Sequence, residues 1–127
     1  MNVIEIKNVV EKLNSFIQKG LWLDFEVCQN SKNKLTLHGG IDLLYSHDIE
    51  IRFEDVFFVS LPMEWKTDTK STVVQLLEGE DAKAVNIRFK VEQGYHIFKF
   101  TPEDYPEDFG CLIGAKTISY DVLKDNS

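Results

Sequence analysis

The spacing of apolar residues changes once along this chain, from a helical period near 3.6 to a strand period of 2, and the change falls at Gly20. Before it, Ile6, Val9, Val10, Leu13, Phe16 and Ile17 form one apolar stripe of a helix. Two starts compete for that helix. Asn2 with Glu5 and Asn8 with Glu11 both have the Asn-x-x-Glu form of a capping arrangement, and if Asn8 is the cap, Ile4 and Ile6 fall into a short strand. Lys19 suits the C-terminal end of the helix dipole, and Gly20 is expected to supply a left-handed stop.

After Gly20 the chain alternates. Leu21, Leu23, Phe25 and Val27 interleave with Trp22, Asp24, Glu26 and Cys28, as in a half-buried strand. Gln29 to Lys34 reads as a polar turn. Leu35 and Leu37 then resume the pattern, with Thr36 and His38 on the other face, and Ile41 to Tyr45 is a short strand candidate. Ile49, Ile51 and Phe53 alternate with Glu50, Arg52 and Glu54 until the phase is lost at Asp55 to Val59, which marks a β-bulge. Pro62 ends this strand, Trp65 to Ser71 reads as a polar connection, and Thr72 to Leu77 as a strand. Glu78 to Asp81 reads as a charged turn. Val85, Ile87, Phe89 and Val91, followed across Glu92-Gln93-Gly94 by Tyr95 to Phe100, predict a hairpin. Gly110-Cys111-Leu112-Ile113-Gly114 reads as a turn into a last strand around Ile118, Tyr120 and Val122.

Connections this short favour antiparallel pairing, because parallel strands need crossovers of a dozen or more residues. The expected fold is α+β and mainly antiparallel β. One N-terminal helix (1–20) packs on a curled sheet of about seven or eight strands (21–127) in a single domain of 127 residues, with a β-sandwich or partly closed barrel as the variant. Nine phenylalanines suit a thick aromatic core between the sheet and its cover.

Charge narrows the partners. The formal net charge is −7, and residues 101–127 hold six acids against two lysines. Nucleic acid and anionic membrane both need Lys and Arg to neutralise phosphate, so neither is an expected partner, whereas a basic protein is. The longest apolar-rich stretch, Ile49 to Met63, is broken by Glu50, Arg52, Glu54 and Asp55, and nothing approaches the ~20 apolar residues of a membrane helix. The N-terminus lacks the features of a signal peptide. Cys28 and Cys111 each sit in an apolar run and read as small buried residues of a reduced compartment, although a bridge between them stays open. A cytoplasmic protein is the expectation.

No catalytic motif emerges. His47-Asp48 with Glu50 brings carboxylates near an imidazole, but His47 points away from the face that Asp48 and Glu50 share, so a metal site there needs His38 or His96 from another strand. Asp24 and Glu26 share a face beside Trp22, a pair that in some folds works as general acid and base. Neither cysteine has an adjacent base, and no phosphate loop is present. No catalytic residue, metal or cofactor is assigned. The acidic segments that join strands stand out: Glu78, Glu80 and Asp81 in one, and Glu103, Asp104, Tyr105, Glu107, Asp108 and Phe109 in the other. Aromatic anchors inside an acidic rim suit a protein interface. These residues lead to a small acidic interaction module, in its concrete form an immunity-type inhibitor of a basic toxin. The alternative is a small-ligand-binding β-domain that uses Trp22 or Trp65. A hydrolase built on Asp24, Glu26 or a histidine ranks below both.

Overall fold

The computed structural model describes residues 1–20, 22–41, 43, 47–70, 72–106 and 109–123, with Trp22 described by its backbone only. Helix α1 spans Val3–Ile17. Asn2 caps it. The Asn2 side chain accepts from the Glu5 amide at 2.9 Å, and the Glu5 carboxylate accepts from the Asn2 amide at 3.1 Å. Asn2 rather than Asn8 therefore starts the helix, and Ile4 and Ile6 are helical. Ile6, Val10, Leu13 and Ile17 are its buried stripe. Gly20 is not the cap of the helix. The cap is instead Gln18, in a right-handed conformation, and the Gly20 carbonyl accepts from the Thr69 hydroxyl.

The strands are β1 (Trp22–Ser31), β2 (Lys34–Gly40), β3 (Ile49–Ser60), β4 (Glu64–Asp68), β5 (Val74–Leu77), β6 (His96–Phe100) and β7 (Cys111–Val122). They form one sheet in the order β4-β1-β2-β3-β7-β6-β5, with every pair antiparallel. The sheet curls into a half-barrel with α1 packed against it. Lys32 and Asn33, both at positive φ, make the two-residue turn between β1 and β2, whose backbone twist matches that of the flanking strands. The bulge anticipated in β3 falls between Val56 and Phe58, beside Asp55 at φ 52°. A second register shift, between Val27 and Gln29, interrupts the alternation of β1 at Cys28. Cys28 is accordingly exposed, against expectation, while Cys111 is buried; both are free thiols.

Four further expectations fail. Residues 85–91 are not a hairpin strand, because Gly79–Phe89 forms helix α2. Its alternating Val85-Ile87-Phe89 pattern is overridden by the helix formers around it, by Glu80 and Asp81 in its first turn and by Arg88 in its last. Glu78 to Asp81 is thus the start of a helix, and β6 pairs with β5 and β7 instead. Trp65 to Ser71 is not merely a connection: β4 alternates, with Trp65 and Thr67 buried. The Gly110 to Gly114 segment is no turn either, since β7 already runs from Cys111. Of the strand expected at Ile41 to Tyr45, Ile41 is an exposed bend, and residues 42 and 44–46 lie outside the described residues.

The concave side holds the core. Phe25, Phe53, Phe98, Phe100 and Trp65 are all buried, with Trp65 stacked on Phe25 at 5.4 Å and edge-on to Phe100 at 5.5 Å. A Cβ at Gly39 would stand 2.8 Å from the Phe25 ring, so glycine is what leaves room for that ring against β2. Two edge devices finish the sheet. The Asn14 side chain accepts from the amides of Val73 (3.1 Å) and Val74 (3.0 Å) and donates to the Val74 carbonyl (2.8 Å), which satisfies backbone groups at the β5 edge. At the other edge the Thr67 hydroxyl donates to the Thr101 carbonyl at 2.7 Å, and the Glu103 amide donates to the Lys66 carbonyl at 2.7 Å. These bonds tie β4 to the chain leaving β6. No helix among the described residues is long and apolar enough to cross a membrane.

Candidate functional site

The two acidic segments do not come together. In the β5–β6 ribbon Leu77 pairs with Ile97 and Val74 with Phe100, so Glu78 follows one end and residues 101–109 follow the other. The four paired residues of the ribbon, about 13 Å long, lie between those two ends. At the first end Glu78 pairs with Lys7 of α1 at 3.1 Å, and Glu80 and Asp81 lie in the first turn of α2, where the helix dipole favours negative charge. At the second end Asp104 has φ 66°, and the Tyr105 and Phe109 rings face each other at 4.4 Å, 40 % and 39 % exposed. Glu107 and Asp108 lie outside the described residues.

A second constellation occupies the opposite, convex face. Register places Glu64, Glu26, His38, Glu50 and Asp121 in one row across β4, β1, β2, β3 and β7. His38 Nε2 lies 3.2 Å from Glu50 Oε1, and Nδ1 lies 4.0 Å from Glu26 Oε1. Arg52, two residues along β3 on the same face, donates to Glu50 Oε2 at 2.6 Å and to Asp121 Oδ2 at 2.8 Å. That hydrogen bond, with a lesser one from His38, holds the Glu50 carboxyl below its usual range. Partial burial works against the Arg52 guanidinium, but the bonds to Asp121 and Glu50 outweigh it and raise its pKa. The His47 ring stacks on His38, centroids 3.6 Å apart and 4° from parallel.

His38 is thus the second histidine that a site at His47 and Glu50 requires. The phase was readable, since Thr36 and His38 alternate with Leu35 and Leu37 as Glu50 does with Ile49 and Ile51. What sequence lacked was the register that sets His38 opposite Glu50. His96 lies on β6, paired with Ala115, away from this group. Asp24, Glu26, Glu64, Trp65 and Lys66 line an open groove along β1 and β4. The indole Nε1 of Trp65 is buried there with no hydrogen-bond partner among the described residues. No protein-family model, curated protein or solved structure matches the chain.

Proposed function

We propose that the chain is a small acidic protein-interaction module, acting in the cytoplasm, that binds a basic protein in the manner of an immunity-type inhibitor covering a basic toxin. The observation that carries this reading is the Tyr105–Phe109 ring pair, exposed on a loop that also presents Glu103 and Asp104. Large rings half out of water cost free energy that a partner's surface recovers, and an acidic rim around them selects a basic surface. Glu78, Glu80 and Asp81 lie at the other end of the β5–β6 ribbon and add to the negative field that draws a basic surface in. Two free thiols suit a reduced compartment.

Affinity capture from native lysate at low and high salt, with wild type beside Tyr105→Ala/Phe109→Ala, tests the reading. A stoichiometric basic protein, released by salt and not captured by the variant, supports it. The absence of any such partner at low salt counts against it. A second reading, a small-ligand-binding domain, is favoured only by the unpartnered Trp65 indole at its groove. The inside of the curl offers it little, being filled by the aromatic core.

A further inference from the structure

We propose that His38, His47 and Glu50 form a site for one divalent transition-metal ion of the zinc class on the convex face of the sheet, a property beyond the interaction reading and independent of it. One ligand atom from each lies within 4.8 Å of the other two. In a tetrahedral zinc site with bonds of about 2.0–2.1 Å, neighbouring ligand atoms stand about 3.3 Å apart. His38 Nε2 and Glu50 Oε1, 3.2 Å apart, already hold that spacing. The His47 ring, stacked flat on His38 and borne by a residue outside the strands, has only to turn and close about 1.5 Å, a side-chain adjustment.

The surroundings support an ion at this point. β2 and β3 hold His38 and Glu50 opposite each other in register, so two of the three ligands are fixed by backbone pairing. Arg52 occupies Glu50 Oε2, while Oε1 faces His38 Nε2 across the gap that an ion would enter, replacing their direct contact. Glu26 Oε1 stands 4.0 Å from His38 Nδ1, beyond hydrogen-bond distance but near enough to close on it, and a carboxylate in that position orients a metal-bound imidazole and increases its basicity. Around the site Glu26, Glu50 and Asp121 oppose the single guanidinium of Arg52, an excess of negative charge that a dication relieves. Two imidazole nitrogens with one carboxylate oxygen select zinc, copper or nickel over calcium or magnesium, which prefer all-oxygen shells. Three protein ligands leave a fourth position for water.

The purified full chain, stripped with chelator, is titrated with Zn²⁺ alone by calorimetry and, separately, followed through the imidazole resonances of the wild-type protein. Expected is one ion per chain, with the His38 and His47 resonances shifting and those of His96 still. His47→Ala and Glu50→Gln should each weaken binding at least about tenfold, Glu26→Gln about tenfold, and His96→Ala not at all. No binding, binding that the first two variants leave unchanged, or equal affinity for Ca²⁺ overturns the proposal. The resonance experiment decides the matter on the unaltered protein even if a variant loses its fold.

Discussion

The two thiols differ in what water can reach. Cys111 is fully buried on β7, and burial pushes its thiol up to about 12, so almost no thiolate exists near neutrality. Cys28, at the register shift of β1, is exposed. Ellman's reagent at mildly alkaline pH should therefore titrate one thiol promptly in the native protein and two in denaturant; prompt reaction of both in the native state would contradict the packing. A second prediction concerns His96. Burial, and then the N-terminal ammonium, lower its pKa from 6.5. The unfolded chain thus takes up this proton more readily than the folded one, so the stability due to the neutral ring is complete above 6.5 and is lost as pH falls below it. His96→Gln mimics the neutral ring and should lose less stability than wild type between pH ~7.5 and ~5.5, read from urea midpoints at each pH. Parallel curves for the two proteins would remove the assignment.

At the scale of elements, α2 is the weakly held piece. None of its residues is buried, and Phe89 stacks on Phe58 at 4.4 Å over Gly114 of β7. A Cβ at Gly114 would lie 2.7 Å from two carbons of the Phe58 ring, so Gly114→Ala should push that ring off Phe89. The expected cost is about 1–3 kcal/mol in urea unfolding, with amide-exchange protection falling in α2 before the strands. Uniform loss across the chain would mean that α2 belongs to the core unit. This weak anchoring also explains why α2 was misread. A helix with a buried stripe declares itself by period, as α1 does through Ile6, Val10, Leu13 and Ile17 with its Asn2 cap. Where no stripe exists, Val85, Ile87 and Phe89 alternate without meaning, and the real signals are the flanking Ala, Glu and Lys together with the charges at each end. The first three strands were legible because most of their inward residues, Leu23, Phe25, Leu35, Leu37, Ile49, Ile51 and Phe53, are large and recur at every second position. β4 was not, being a polar edge with inward Trp65 and Thr67, and Gly110 and Gly114 disguised the start of β7 as a turn. On the candidate site, sequence supplied the outward phase of His38 and Glu50 but not their register across the hairpin.

For the molecule as a whole, the question is what keeps a seven-stranded sheet curled when its surface carries a net charge of −7. The apolar interior supplies the driving force, but it is directionless and would accept a flatter sheet under a different cover. Direction comes from the seam, where an edge strand, β4, is bonded to the chain leaving β6, five places away in the strand order. Thr67 is fully buried and spends its hydroxyl on the Thr101 carbonyl, inside a wall that also includes Trp65. Thr67→Val keeps the shape and removes that bond, so it should cost about 1–2 kcal/mol. It should also speed exchange of the neighbouring Glu103 amide and open the wall beside Trp65, shifting its emission to the red in a Trp22→Phe background. If the seam only decorates a curl imposed by packing, the urea midpoint and the Trp65 emission of Thr67→Val will match those of its parent. If it sets the curl, both will move together, because releasing β4 uncovers the aromatic core that the half-barrel encloses.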